Sequence, residues 1–460
     1  MSAPANLTAR LESLLGADRV LRVDDGSPDY AIDGIGPGAV VWPCCADQVV
    51  ELVRFAISEK LAVVPCGSRS KIDIGMTPER YDIALDMTGL QTIAHYDAGD
   101  RTLAVDAGVS LRQLTEFLEV NKQFLPLAVP CFETSTIGGT VASGIDSALR
   151  QQYGTARDFL IGAEFVDGEG QLCKSGGPVV QNVTGSDLHK LLIGSFGTLG
   201  VITRLNFRIF LMPEVSRGHL ANFASLQGAQ AYRQHLEASG LPLANLEVLS
   251  PEALSILCAI LRRADSPLPV SAENEGWCVY AAFAGHEVVL TRIASDLERL
   301  AHGSDAVAQE FLDPNVDNNF GGMLREAYEW LRWAAAEVVL FRITVSRMTA
   351  TILEELCLLA NAQSLRHAVL IRAAAVTYLS LMTESTDDAE LRSLQTASAN
   401  VIAAVHREKG QVKVLHAPAA VKRTLSASIL AGLNLEMEMR VKSAFDPQNI
   451  FAPGRIVGAV

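Results

Sequence analysis

Two glycine-rich segments about 60 residues apart hold the residue types best placed to do chemistry. The first is Thr136-Ile137-Gly138-Gly139-Thr140-Val141-Ala142-Ser143-Gly144, and the second is Gly194-Ser195-Phe196-Gly197-Thr198-Leu199-Gly200-Val201-Ile202. Glycines this dense among β-branched residues mark places where backbone must approach something closely or adopt positive φ. Exposed N–H groups in such turns form concave anion sites suited to a pyrophosphate. A third turn, Val63-Val64-Pro65-Cys66-Gly67-Ser68-Arg69-Ser70-Lys71, runs on to Gly75. Its small side chains admit a phosphate to the backbone, and Ser68, Ser70 and Lys71 add donors. It is neither a Rossmann fingerprint nor a P-loop, because it lacks G-x-G-x-x-G opening a helix and lacks G-K-[ST]. One such turn alone reads as a tight turn in a β-rich domain; three together point to a dinucleotide cofactor.

In order along the chain, these turns are joined by further motifs. They are Tyr30-Ala31-Ile32-Asp33-Gly34, Pro37 to Pro43, Ala107-Gly108-Val109, Tyr153-Gly154-Thr155-Ala156-Arg157-Asp158 and Asn182-Val183-Thr184-Gly185-Ser186-Asp187-Leu188. The C-terminus adds Val441-Lys442-Ser443-Ala444-Phe445-Asp446-Pro447-Gln448-Asn449-Ile450-Phe451-Ala452-Pro453-Gly454-Arg455. The set resembles the FAD-binding domain of the vanillyl-alcohol oxidase and p-cresol methylhydroxylase (PCMH) superfamily, in the branch of D-lactate dehydrogenase and glycolate oxidase flavin subunits. The Gly-Ser-x-Ser-Lys loop is most similar to the glycolate oxidase flavin subunit. The resemblance covers residues 28–212 and 436–457. It implies an α+β chain with a two-subdomain FAD-binding domain over 1–212 (core 28–212), an α+β cap over 213–415, and a C-terminal segment over 416–460 packing back near the flavin. It implies noncovalent FAD held by Pro65, Gly67, Ser68, Arg69, Ser70, Lys71, Ser135, Thr136, Gly138, Gly139, Ser143 and Gly144. Gly197, Gly200 and Ile202 would lie near the adenine half.

For a 2-hydroxy acid, which the resemblance implies as substrate, the site needs a cation for the carboxylate and a base near the hydroxyl. Arg342, in the apolar strand pattern Val339-Leu340-Phe341-Arg342-Ile343-Thr344-Val345, needs an anionic partner, because an unpaired charge there is costly. That partner is either a ligand or an intradomain salt bridge. Arg347 and Arg372 are weaker choices. His416, in Val412-Lys413-Val414-Leu415-His416-Ala417-Pro418, is the base candidate, since an imidazole suits proton abstraction near neutral pH. It also reads, with somewhat more weight, as a core histidine bonded to backbone. His189 reads as structural, and Asp187 as orienting the loop before Gly194 or capping the helix Leu188 to Ile193. Many D-lactate-type relatives carry H-x-G-D-G-N-x-H in the cap, binding a divalent metal, and E-H-G near its end. Here His367 to Ala375 lacks the first, and Leu415-His416-Ala417 keeps only the histidine of the second. Gln181 and Ser186 replace the usual Lys and Tyr. No metal site is expected.

The elements that must position these residues follow from periodicity. Helices are expected at Leu7 to Leu15, Gln48 to Leu61, Leu111 to Val120, Ser225 to Ser239, Glu287 to Leu300, Gly322 to Ala336, Thr349 to Ala362, Glu390 to His406 and Ile429 to Lys442. Strands are expected at Ala39 to Trp42, Ala62 to Val64, Ile83 to Leu85, Thr102 to Val105, Trp277 to Phe283, Glu337 to Val345 and Ala368 to Ala375. Buried sheet with helices outside is the α+β layout.

Composition bounds the function. The 460-residue length suggests two or three domains. Hydrophobic content of 49% with 20% charged residues describes a core-rich globular protein. A net charge of -14 argues against a nucleic-acid surface. No apolar run long enough for a membrane helix is present, and Met1 to Arg10 lacks signal-peptide character, so the expected location is cytoplasmic, with peripheral membrane attachment through a partner left open. The eight cysteines, Cys44, Cys45, Cys66, Cys131, Cys173, Cys258, Cys278 and Cys357, form no Cys-x-x-Cys, so iron–sulfur and zinc ligation lack the needed spacing. Three functions remain: an FAD-dependent dehydrogenase or oxidase of glycolate or D-lactate type, an FAD-binding subunit of a larger glycolate oxidase-like complex passing electrons to an iron–sulfur or other accepting subunit, and a flavin fold without its own catalysis.

Overall fold

The computed structural model describes residues 7–22, 28–177, 186–273, 275–373, 376–430 and 435–455. Gln181, Asn182 to Gly185, and the middle of the helix expected at Ile429 to Lys442 lie outside the described residues.

The N-terminal half starts from a β-α-β unit. Strand Ala39–Val41 leads to helix Ala46–Glu59, which buries Val49, Leu52, Val53 and Ala56 at helical spacing. Lys60 takes φ 56° and donates to the Ala56 and Ile57 carbonyls, which ends the helix. The chain then enters strand Val63–Cys66. Strand Ile83–Asp86 pairs parallel with both of these strands, as a crossover through a helix requires. Among the described residues the sheet runs Val20–Arg22, Ala39–Val41, Ile83–Asp86, Val63–Cys66. A second, antiparallel sheet runs Ile93–Asp97, Thr102–Asp106, Val201–Arg208, Leu160–Val166, Leu172–Gly176. The first glycine-rich segment, read from sequence as a turn, is a short helix, Ile137–Ser143, between the sheets. Thr136 caps it by accepting from the Gly139 N–H, and Gly144 ends it at φ 59°.

The cap is an antiparallel sheet in the order Ala308–Phe311, Val215–Phe223, Trp277–Gly285, Leu243–Leu249, Arg366–Arg372, Val376–Thr383, Glu337–Thr344, Gln411–His416. Strand alternation splits its side chains between two cores. Val339, Phe341 and Ile343 pack with helices Ala350–Asn361 and Asp388–Arg407. Val338 and Leu340 join Ile137 and Leu205 of the N-terminal half. Arg342, in phase with Leu340, therefore belongs to the face turned toward the N-terminal half. The helix expected at Gly322 to Ala336 is two helices, Pro314–Arg325 and Ala327–Arg332, divided at Glu326, and the chain from Ala334 onward feeds a strand. Strand Gln411–His416 closes this sheet, so His416 ends a cap strand.

The C-terminal segment returns to the N-terminal sheet. The Val63 N–H donates to the Ile450 carbonyl at 2.8 Å, and the Ala452 N–H donates to the Val63 carbonyl at 2.8 Å. Buried Lys442 donates to Asp446 at 2.6 Å and to the Thr198 and Phe451 carbonyls. Buried Arg455 donates to the carbonyls of Ile72, Ile74 and Met76, which fixes the stretch after the early phosphate loop.

An ion cluster joins the two halves. Arg342 of the cap pairs through Nε and Nη2 with Asp146, whose side chain is 3% exposed. Arg150 pairs with the same carboxylate, and Arg372 donates to the Asp146 carbonyl at 3.0 Å. Burial alone would raise the Asp146 pKa, yet Arg342, Arg150 and Arg372 hold it below the usual carboxylate range. Its contribution to stability is therefore complete above the unfolded value of ~3.9 and is lost as pH falls through the lower folded value. Asp146→Ala leaves half-buried Arg342 and Arg150 without their anion and is expected to cost ~3 kcal/mol of stability at neutral pH by denaturant titration, the lower end of the range for a broken buried pair. A loss below about 1 kcal/mol would show the cluster to be solvated.

Candidate functional site

The three small-residue segments meet in one groove. Its first part, about 540 Å³, is lined by Pro65 to Ile72, Ser135, Thr136, Gly139, Thr140, Ser143, Phe196 and Arg455. The adjoining part, about 360 Å³, adds Met87, Ala107, Gly138, Gly197, Gly200 and Ile202 and shares Gly67, Thr136 and Gly139. Every expected cofactor residue except Gly144 lines one part or the other.

Each wall has a local cause. Strand Val63–Cys66 ends at Gly67, and Arg69 follows in the left-handed region at φ 65°. That conformation costs about 1–3 kcal/mol for a residue with a side chain. It is held by the Arg69 guanidinium, which donates to Asp86 at 2.7 Å and lies 4.1 Å from the Tyr30 ring centre. Among the described residues no recorded hydrogen bond uses the N–H groups of Ser68, Arg69, Ser70 or Lys71. Lys71 is buried and donates to Ser135; burial lowers its pKa to about 8, opposed by Cys131, Glu326 and Glu329. The opposite wall is helix Ile137–Ser143. A Cβ on Gly138 would fall 2.6 Å from Ala107 Cβ, so that glycine lets the helix lie against the sheet. Gly144 packs on Gly194, where a Cβ would come within 2.7 Å of Gly194 Cα. Gly144 thus serves chain–chain approach behind the groove. Gly139 differs: a Cβ there would meet only Thr136 Oγ1 at 3.0 Å and otherwise enter the groove.

These residues fit a flavin dinucleotide. The groove offers unused backbone N–H donors, the hydroxyls of Ser68, Ser70, Ser135 and Thr136, and Thr140 Oγ1, which is buried without a hydrogen-bond partner. An anion resting on such a cradle meets fixed backbone dipoles, with the buried Lys71 ammonium beside them. Cys66 is half-buried, and desolvation raises its thiol pKa well above the ordinary value. Cys131 donates its Sγ–H to Glu329 at 3.0 Å, and burial raises its pKa to about 12. Neither thiol is poised as a thiolate. Among the described residues no group of three or more His, Cys, Asp and Glu could hold a metal ion.

A third cavity, about 1030 Å³, continues from the groove through Phe196 and Arg455. Its walls include Arg342, Lys413, Gly194, Ile429 and Glu438. Arg342 reaches it already paired to Asp146; the partner is thus across the domain boundary rather than within the cap. His416 stands apart. Its ring lies 5.8 Å from that of Trp333, its Nδ1 is buried without a partner, and it lines none of the three spaces. Burial, then Lys422 and Arg332, lowers its pKa to about 4, so the imidazole is neutral at pH 7. Arg372 is spent on Glu247 at 2.8 Å, and Arg347 is exposed. His189 is a core histidine sharing a 2.9 Å hydrogen bond with Ser175 Oγ. Asp187 precedes the short 3₁₀ turn Leu188–Leu191 but makes no side-chain cap. Sequence reasoning missed Asp146, Lys413, Phe196 and Arg455 as lining or supporting residues. Lys413 carried the same signal as Arg342, a lone charge in an apolar run, whereas Asp146 lies among Ser143, Gly144 and Ser147 and carried none.

Gly139→Val is expected to fold and to lose most bound flavin, because the side chain fills the groove. Flavin absorbance per protein, with circular dichroism as the folding control, checks this; full flavin occupancy in the variant would contradict the placement.

Residues 37–176 match the FAD-binding domain family, and residues 212–456 match the C-terminal domain of FAD-linked oxidases. The chain is 24% identical to D-2-hydroxyglutarate dehydrogenase of Stutzerimonas stutzeri over 100% of both chains. It is 33% identical to the glycolate oxidase subunit GlcE of Escherichia coli over 44% of this chain and 57% of that one. It is 27% identical to the glycolate oxidase subunit GlcD of Bacillus subtilis over 52% of this chain and 51% of that one. The structure of p-cresol methylhydroxylase with substrate bound superposes with a TM-score of 0.78 at 17% identity, covering 100% of this chain and 98% of that one. That likeness confirms the α+β flavoprotein fold anticipated from the motifs. With the groove, the fold and both halves of the chain in agreement, the protein belongs to the FAD-linked oxidase family.

Proposed function

We propose that the protein oxidises a small 2-hydroxy acid of the glycolate or D-lactate type to the 2-oxo acid, with FAD held noncovalently. The observation that carries this reading is the cationic cavity contiguous with the dinucleotide groove, lined by Arg342 and Lys413. Relatives named as dehydrogenases or oxidases of D-2-hydroxyglutarate, glycolate and D-lactate support the substrate class. FAD would lie on residues 67–71 and 135–144, with Gly197, Gly200 and Ile202 toward the adenine, and would accept the hydride leaving the α-carbon. Arg342, its guanidinium held in one orientation by Asp146, would orient the carboxylate through its remaining N–H donors. Neutral His416, which ends the strand that carries Lys413 but lines none of the cavity, would take the hydroxyl proton only from a substrate whose α-carbon lies toward that strand end, beyond the carboxylate. The cytoplasmic location expected from the sequence belongs to this proposal.

A second reading makes the chain an FAD-binding subunit whose electrons pass to an iron–sulfur or other accepting partner. It is favoured by the matches to proteins named as glycolate oxidase subunits and by the lack of cluster-ligand spacing in the sequence. Anaerobic mixing of the FAD-loaded chain with glycolate, D-lactate and D-2-hydroxyglutarate separates the two. Bleaching by the chain alone supports the first reading. Bleaching only after a partner is added supports the second.

Two outcomes test the residues. Acid precipitation should release yellow flavin into the supernatant; flavin retained in the pellet would establish a covalent link. His416→Ala should keep FAD and slow flavin reduction ~100-fold, the scale of a lost general base. A base must be unprotonated, so the wild-type limiting rate of flavin reduction at saturating substrate should stay level across neutral pH and fall only as pH drops toward about 4. A decline centred near neutrality would assign the proton transfer to another group.

A further inference from the structure

Lys413 is a cation that the groove and the proposed reaction leave unused. It sits on cap strand Gln411–His416, opposite Arg342 in the sheet register, and lines the third cavity. Its Nζ lies 4.1 Å from the centre of the Phe196 ring. Among the described residues, no hydrogen bond or ion pair ends on that nitrogen. The residue is half-buried and lines the cavity. The charged groups facing it come from four directions. Arg342 lies on the neighbouring strand, Asp146 follows helix Ile137–Ser143, Glu438 stands on the C-terminal helix Leu435–Phe445, and Arg455 lies at the chain's end. Asp146 already answers Arg342 and Arg150, and Arg455 is spent on backbone carbonyls. Glu438 lines the same cavity but forms no ion pair with Lys413 among the described residues, so the ammonium lies beside an aromatic face without a paired carboxylate, and such a group seeks an anion.

We propose that Lys413 is the cation that receives a small carboxylate ligand in this cavity, with Arg342 supplying directional N–H donors but little net charge. The assignment rests on the 2-hydroxy-acid reading and names which residue supplies its carboxylate charge. The physical consequence is a protonation coupled to binding. Burial, then the nearby Arg342, lowers the Lys413 pKa to about 7, with Asp146 pulling the other way. A bound carboxylate favours the ammonium and raises that pKa again. Binding above about pH 7 therefore takes up a proton, and affinity falls as pH rises.

The test is equilibrium titration of the FAD-loaded protein with glycolate and with propionate, which has no hydroxyl to oxidise, followed by flavin absorbance and calorimetry. In wild type the propionate Kd should be constant below about pH 7 and weaken about tenfold for each unit above it, with proton uptake seen by comparing buffers of different ionisation enthalpy. Lys413→Met should keep FAD and lose propionate affinity by roughly tenfold or more, together with the proton uptake. Lys413→Arg should restore affinity and bind without proton uptake, because a guanidinium stays charged. Three results would overturn the proposal: no propionate or glycolate binding by wild type, wild-type affinity and pH dependence in Lys413→Met, or loss of FAD from Lys413→Met, which would give the charge to the cofactor. Propionate binding does not depend on turnover. A chain that binds it through Lys413 yet leaves flavin oxidised with every hydroxy acid would refute the oxidation reading and keep the anion site.

Discussion

The junction between the two halves depends on one buried carboxylate. Asp146 sits just beyond the glycine-rich helix and draws Arg342 from the cap and Arg150 from its own domain, while Arg372 binds its backbone carbonyl. Separately these groups could not be buried: a lone ion in such surroundings costs several kcal/mol. Together they satisfy one another only when the cap sheet lies at one distance and angle from helix Ile137–Ser143. That placement stands Arg342 and Lys413 over the continuation of the dinucleotide groove. Leu340 and Tyr378 of the cap share one apolar core with Ile137 and Leu205 of the N-terminal half, which adds apolar burial to the same junction.

The same pairing redistributes charge within the site. An arginine already answered by a carboxylate can direct hydrogen bonds, but it adds little net field. Lys413 has no such answer among the described residues and sits against an aromatic face. The groove follows a different logic. Its donors are mainly backbone N–H groups and hydroxyls, with Lys71 the buried cation among them, so an anion there is met chiefly by fixed dipoles. The C-terminal return adds rigidity rather than charge, with Arg455 bound to three carbonyls of the segment after the phosphate loop and Lys442 bound to Thr198 and Phe451.

Local patterns were readable where local physics governs them. Helix Ala46–Glu59 and strand Ile83–Asp86 announce themselves by apolar spacing, and the early loop by its small polar residues. The helix expected from Gly322 to Ala336 breaks at Glu326, whose carboxylate accepts from the Cys131 N–H across the domain junction, a long-range partner no local pattern contains. The glycine-rich segment at 137–143 looked like a turn because glycine disfavours helix in isolation. Packing against Ala107 and the Thr136 cap outweighs that preference.

The sequence by itself determined the α+β class, the order of the three phosphate-type turns and the family resemblance, because each rests on residue type and short-range spacing. Tertiary structure alone decided the fate of the charges. Arg342, Lys413 and His416 all appear in sequence as single polar residues in apolar strands. One is matched by Asp146 from 196 positions away, one faces a cavity beside Phe196, and one turns to Trp333 with a buried, unpartnered nitrogen. Which of these a lone charge or imidazole becomes depends on what lies opposite it after folding. Electrostatic energy depends on distance and burial in space, and neither is fixed by position along the chain.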